Sequence, residues 1–377
     1  MNSPGASEPG RRRPYLDWLR GVAVLIMIEA HTLDSWTRVA DRQSPWYENA
    51  IILAGFGAPL FLFLAGVALM LAAGSRLRKG LTLEQAARAA FRRGAWVFLL
   101  ALLFRLQSFV LGGGQFPQSL LKVDILNVMG VSMLAASVGL ACTRTLKARA
   151  WLFGALTVAI AMLTPIIRDT PLLGALPDPL EAYFRPVPGL TTFTLFPWAG
   201  FLTGGCMVGA WLDALVESAF RRTSSDARLH LWLVAVGGTI ALGGYMSSFL
   251  PPLYPHASFW TSSPTFFFLR LGILAMSVPA AFALSRVWRG LWLQEFGRAS
   301  LFVYWVHVEL VYGVLSAPIH RRLPFSLALV AFAIFTLAMF GLVRLKEALT
   351  TRGRSPNVAT GGDSQRSSAI NAVSRNS

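Results

Sequence analysis

The sequence predicts an all-α fold: a polytopic integral-membrane bundle of about ten transmembrane helices with both termini in the cytoplasm. Three observations predict it. Of the 377 residues, 54% are hydrophobic and 14% charged, and the mean hydropathy of +0.54 is too high for a soluble domain of this size. Apolar runs recur at the length a hydrocarbon core about 30 Å thick demands, roughly 20 residues of helix. Lys and Arg are distributed unevenly between alternate connecting segments.

The runs fall, in order, at residues 16–33, 51–73, 94–111, 124–142, 150–166, 193–215, 229–249, 265–288, 300–316 and 325–345. The first follows Arg11, Arg12 and Arg13, but Trp36 and Arg38 come after it in place of a small-residue cleavage site. It is therefore expected to stay as a helix and not to be removed as a signal peptide. With the N-terminus placed inside, the cytoplasmic segments up to Arg354 hold 22 Lys and Arg and the external ones seven. The second and third runs are joined by "AAGSRLRKGLTLEQAARAAFRR", a cytoplasmic basic loop with a short helix. Its ordinary meaning is topology and lipid headgroups, and it is also placed to receive an anionic nucleotide donor. The sixth run carries Gly200, Gly204, Gly205 and Gly209, a spacing that lets helices pack closely. Arg270 lies near the external end of the eighth run, where it can snorkel. The external segments are rich in Pro and aromatics, as in "DTPLLGALPDPLEAYFRPVPG", and short ordered structure is expected there. The tail, residues 350–377, is polar and expected to be disordered. No internal repeat is apparent, which counts against an inverted-repeat transporter.

Composition also excludes function classes. The net charge of +16 sits at helix ends, so nucleic acid is not an expected partner. Cys142 and Cys206 lie in apolar runs; there is no disulfide framework and no metal-ligand spacing, and both are expected to be small buried hydrophobes. No P-loop, dinucleotide fingerprint or nucleophile elbow stands in a credible context.

The first run, "DWLRGVAVLIMIEAHTLDSW", carries more ionisable groups than a lipid-facing helix tolerates. At 100° per residue, Asp17, Arg20, Val24, Ile28, His31 and Ser35 form one stripe, and Arg20 and His31 are about 16 Å apart along it. Glu29 points about 160° away from His31. Two readings stand. In one, Asp17 and Arg20 pair at the interface and His31 satisfies a backbone carbonyl. In the other, this face lines a cavity reached from both sides, which the further polar residues favour. Arg105 sits mid-span and needs a carboxylate, a carbonyl cluster or a ligand anion. Lys122, Asp124 and Asn127 stand at the outer start of the fourth helix, where Asp124 is either a helix cap or a site residue. Arg298 opens the ninth helix; His307 and Glu309 follow at mid-depth or beyond, and structural and functional readings of His307 are both open.

"LDWLRGVAVLIMIEAH" resembles the first-helix signature of transmembrane acyltransferases: Asp17, then Arg20 and Gly21, then His31. The spacing is shared with acyltransferase family three. The ordered segments "APLFLFLAGVAL", "VDILNVMGVS", "FPWAGFLTGG" and "FGRASLFVYWVHVEL" are more similar to bacterial relatives of heparan-alpha-glucosaminide N-acetyltransferase. The resemblance covers nearly the whole membrane domain, 15–349, behind a basic segment at 1–14. It implies an acyltransferase of the bacterial inner membrane that takes an acyl group, typically from acetyl-CoA as co-substrate, on the cytoplasmic side. The acceptor is a glycan or small amine on the other side. His31 takes the family histidine's role and, with Asp34, forms the catalytic set. Asp17, Arg20, Arg105, Asp124, Asn127, Arg298 and His307 form the donor- and substrate-binding set. One departure stands: in the lysosomal branch the essential histidine lies after the first helix, whereas residues 32–229 here contain no His. The partners expected are acyl-CoA, the acceptor and the lipid bilayer, with a homodimer left open; no metal and no permanently bound cofactor is expected. The rival is a proton-coupled transporter or flippase with Glu29, His31 and His307 as a relay. A third reading is a chain that kept the fold but lost catalysis.

Overall fold

The computed structural model describes residues 13–111, 118–220 and 226–352. Helices form at every apolar run. They are α1 (Pro14–Trp36), α2 (Pro45–Ala54), α3 (Gly57–Arg78), α4 (Leu83–Leu111), α5 (Gln118–Leu121), α6 (Ile125–Ala141), α7 (Leu146–Asp169), α8 (Asp178–Glu181), α9 (Leu195–Phe220), α10 (Asp226–Ser247), α11 (Pro264–Val287), α12 (Leu291–Arg298), α13 (Ser300–Tyr312) and α14 (Phe325–Arg352). Among the described residues there is no strand, only two isolated bridges. Seven stretches are long and apolar enough to cross a membrane: α2 with α3, then α4, α7, α9, α10, α11 and α14. The other three runs differ in kind. α1 has the length but carries Asp17, Arg20, Glu29 and Asp34, while α6 and α13 are shorter apolar helices.

Local chemistry sets the ends. Pro14 starts α1 at a position where its missing N–H costs nothing. The Asp124 carboxylate accepts the N–H groups of Leu126 and Asn127, and the Asn127 side chain returns a bond to the Asp124 N–H, a closed capping box on α6. The run at 51–73 divides between α2 and α3, because Pro59 cannot donate to the Gly55 carbonyl one turn back. The run at 300–316 ends earlier than expected: α13 stops at Tyr312, and Gly313 leads into a 3-10 turn, Val314–Ser316. The 94–111 run extends backwards, since α4 begins at Leu83 and absorbs much of the basic loop. The segment between α7 and α9, expected outside, contains a 3-10 turn, Pro171–Ala175, and the single-turn α8. α14 continues to Arg352, so helix replaces the first residues of the expected tail; the remainder, like residues 1–12, lies outside the described residues.

Packing concentrates on α1, α3, α9 and α11, whose buried faces share one core with Leu62, Phe63, Leu202, Leu212 and Val278. The α3–α9 contact is backbone-close. A Cβ on Gly66 would lie 2.0 Å from the Leu202 carbonyl oxygen, and one on Gly205 1.9 Å from that of Phe63. Small residues thus bring the two helices together, as the sixth run's glycines suggest. α12 lies against the start of α1 in the same way: a Cβ on Gly297 would meet the Asp17 carbonyl at 1.9 Å. A second core joins α1 to α13 and α14 through Val24, Ile28, Val303, Met339 and Val343.

Alternating direction along the chain collects the start of α1, the end of α3, the start of α4, the end of α6, the end of α11 and the end of α14 at one end of the bundle. This basic end holds Arg76, Arg78, Arg93, Arg149, Arg286, Arg298 and Lys346. Cys206 is buried as expected. Cys142 is exposed, because it is the C-cap residue beyond the last turn of α6.

Candidate functional site

A cavity of about 1740 Å³ runs between α1, α3, α4, α6 and α13. Its wall includes Arg20, Arg76, Arg93 and Arg298 from the basic end, and Asp34, Lys122, Trp198 and His320 from the opposite end. It therefore extends along the bundle. α1 faces it with Arg20, Met27, Ala30, His31 and Asp34. The stripe expected on α1 is partly corrected here: Val24, Ile28 and Ser35 are fully buried and lie outside this wall, the first two packed against Val303, while Arg20 and His31 keep their place on it.

α13 runs parallel to α1. Contacts step together along both: His31 meets His307, Asp34 meets Tyr312, and the Ser35 hydroxyl donates to the Val311 carbonyl at 2.9 Å. His307 is fully buried. Its Nδ1 is 2.7 Å from the Val303 carbonyl oxygen, which only accepts, so Nδ1 carries the hydrogen. In the neutral ring Nε2 is then a lone-pair acceptor. His31 Nδ1 lies 2.7 Å from it and must donate. The network thereby assigns His31 the tautomer whose basic nitrogen is Nε2, with no protein partner among the described residues. The two rings are nearly parallel, 6° apart with centroids at 5.0 Å, and Tyr312 packs edge-on at 5.6 Å. The arrangement matches a positioned general base: one nitrogen fixed by a hydrogen bond, the other left basic beside a cavity.

The other expected residues divide into groups. Asp17 is buried and pairs with Arg20 at 3.1 Å; Arg20 reaches the cavity while Asp17 stays behind it. Arg298 lines the cavity at the basic end without an ion-pair partner among the described residues, and so do Arg76 and Arg93. Asp34 is exposed at the other rim. Its carboxylate accepts from the Tyr312 hydroxyl at 3.0 Å and lies 3.6 Å from Arg42, not hydrogen-bonded to His31. Arg105 and Asp124 both line the cavity and pair at 3.1 Å. Asp124 is thus at once a helix cap, through Oδ1, and a counter-ion, through Oδ2. Arg105 stands with Asp124, apart from the cations of the basic end. Asn127 is not on the cavity wall; it completes the capping box and donates to the Tyr183 hydroxyl at 3.4 Å. Glu29 is also off the cavity wall.

The sequence places Arg76 and Arg93 in a basic loop open to either topology or an anionic donor, and the α3–α4 hairpin brings both to the cavity mouth. Tyr304 was not singled out. It lines the cavity and packs edge-on against His307, with centroids 5.9 Å apart. Its position in "FVYWVHVEL", three residues before His307, is the one signal the sequence offers.

Residues 12–249 match the family model described as heparan-alpha-glucosaminide N-acetyltransferase, catalytic. The match includes His31, Arg20, Arg105 and Asp124; Arg298 and His307 lie beyond it. Comparison with curated proteins gives no match.

Proposed function

The chain belongs to the heparan-alpha-glucosaminide N-acetyltransferase catalytic family, and on that premise we propose that it moves the acetyl group of acetyl-CoA to a glucosamine-type amino sugar across the bundle. The donor enters at the basic, cytoplasmic end, and the acceptor at the external end. One observation carries the reading: the same cavity is bordered by four basic-end arginines and by His31, the imidazole whose free nitrogen is fixed by His307.

Arg20, Arg76, Arg93 and Arg298 offer guanidinium groups to the donor's phosphates, where charge-assisted hydrogen bonds are strongest. The thioester then lies up to about 16 Å deeper, the axial separation of Arg20 and His31. The acceptor approaches past Lys122, Trp198 and Glu309. Its neutral amine attacks the thioester carbon, and His31 Nε2 takes the N–H proton as the C–N bond forms. The imidazolium keeps its Nδ1–H bond to His307 throughout. When the C–S bond breaks, the sulfur leaves with the electron pair and receives the proton from His31. The products are an N-acetyl amino sugar and CoA thiol, with His31 neutral again.

The test is direct. Purified protein in detergent, given acetyl-CoA and glucosamine, is expected to release CoA thiol and form N-acetylglucosamine in equal amounts. Intact, folded protein that consumes no acetyl-CoA with any amino-sugar acceptor contradicts the proposal.

A further inference from the structure

A second, smaller crevice lies where α13 is short. The chain breaks between α12 and α13 at Ala299, and a space of about 340 Å³ opens between α4, α13 and α14. Its wall is apolar: Leu100 from α4 and Leu301, Phe302 and Trp305 from α13. Two cations border it, Arg298 and Lys346. The flanking outer faces of α4 and α14 carry exposed Leu99, Leu102, Leu103, Leu337 and Leu345, so the crevice belongs to the bilayer-facing surface. Arg298 and Lys346 stand at the basic end, at headgroup depth.

We propose that this crevice binds one anionic phospholipid, its phosphate between Arg298 and Lys346 and an acyl chain along Leu100, Phe302 and Trp305. Charge decides the class. Neither cation has an ion-pair partner among the described residues. The nearby carboxylate of Glu295 is held by Arg344, at 2.8 and 2.9 Å. Lys346 Nζ lies 4.5 Å from the centre of the Phe302 ring, so its charge stands over the aromatic wall of the crevice. A net-negative headgroup supplies the missing charge, and a zwitterionic one offsets its phosphate with its own cation.

Arg298 also borders the large cavity. A lipid phosphate on Arg298 therefore competes with the donor's phosphates. This second consequence rests on the proposed donor site, whereas the lipid site itself does not.

The experiment offers the full-length protein equal amounts of phosphatidylglycerol and phosphatidylcholine, and native mass spectrometry counts the lipid retained. Wild type retains phosphatidylglycerol by roughly fivefold, the worth of about 1 kcal/mol for a surface cation. Lys346→Glu and Lys346→Gln bring the ratio near parity; Lys147→Glu, at an exposed cytoplasmic lysine elsewhere, leaves it unchanged. An undiminished preference in both Lys346 variants overturns the site. In nanodiscs, wild type binds acetyl-CoA more weakly in phosphatidylglycerol than in phosphatidylcholine, and Lys346→Gln removes the difference. Equal acetyl-CoA affinity in both lipids overturns the competition. Acetyl-CoA binding in neither lipid overturns the donor reading and leaves the lipid ratio to decide the crevice.

Discussion

His31 Nδ1 and His307 Nε2 are 2.7 Å apart, although 276 residues separate them in the chain. Because His307 Nδ1 is committed to the Val303 carbonyl, the pair admits one neutral arrangement, and it leaves His31 Nε2 as the base. A relay of freely exchanging protons through both rings would break that commitment, which is why the pair suits a fixed catalytic base better than a transport wire.

In the proposed reaction, replacing His31 removes the base. His31→Ala and His31→Gln are both expected to lower kcat by about 10²- to 10⁴-fold, with expression and membrane insertion retained. Steady-state kinetics of both variants beside the wild type checks this. Near-normal turnover in His31→Gln excludes His31 as the base.

In the proposed reaction, His307 acts through His31 as a positioning residue. His307→Ala is expected to lower kcat by at least about tenfold while changing the KM for acetyl-CoA little, because it frees the tautomer without touching the donor mouth. His307→Gln, which can still accept from His31 through its side-chain carbonyl, recovers part of the rate. A purely structural role would lower the amount of folded protein and leave the pH profile of the survivors unchanged.

The basic mouth makes a salt-sensitive prediction. Arg93→Ala and Arg298→Ala each remove a charged donor and are expected to raise the KM for acetyl-CoA about tenfold, with kcat less affected. The effect of the mutations shrinks as ionic strength rises. Acetyl-dephospho-CoA, which lacks the ribose phosphate, is expected to show a smaller loss than acetyl-CoA does.

Helix contact gives a stability prediction free of any functional reading. A Cβ at Gly205 would lie 1.9 Å from the Phe63 carbonyl oxygen, backbone that cannot move without parting α3 and α9. Gly205→Ala is expected to cost about 1–3 kcal/mol, read as a lower thermal midpoint in detergent. Gly243→Ala, where a Cβ meets nothing within 4 Å, serves as the neutral control.

At the end of the bundle opposite the basic one, Asp41 caps the start of α14. Its carboxylate accepts the Phe325 N–H and the Arg38 side chain, each at 2.8 Å, and these bonds hold its pKa below the usual carboxylate value. A group depressed in the folded state contributes stability above its unfolded pKa, about 3.9, and that contribution is lost as pH falls through the lower folded value. Asp41→Asn is therefore expected to lose thermal stability at neutral pH and to converge with wild type as the medium becomes more acidic. A constant gap across that range contradicts the assignment.

How much the sequence revealed depended on the range of the interaction. Each apolar run became helix, because twenty apolar residues need only local hydrogen bonds and a bilayer. Breaks were harder to read: the run at 51–73, which composition alone presents as continuous, divides between α2 and α3, and the run at 300–316 stops as α-helix at Tyr312. Arg20 and His31 were legible as one face of α1, since the helical period is intrinsic. Which half of that face met the cavity was not, because packing of Val24 and Ile28 against α13 decides it. The partners of His307 and Arg105 were left open by the sequence. A partner on a distant helix fixed each: His31 for the one and Asp124 for the other. Asn127, read as a binding residue, proved to serve the capping box, a local role its spacing from Asp124 already allowed.

Sided transfer shows whether donor and acceptor meet from opposite ends of the bundle. Protein is reconstituted into vesicles with glucosamine oligosaccharide trapped in the lumen, and membrane-impermeant labelled acetyl-CoA is added outside to molecules whose basic end faces out. The account predicts that label appears on the trapped oligosaccharide with wild type and not with His31→Gln, while the acetyl-CoA itself stays outside. Labelling confined to acceptor added on the same side as the donor, or equal labelling by His31→Gln, would contradict it.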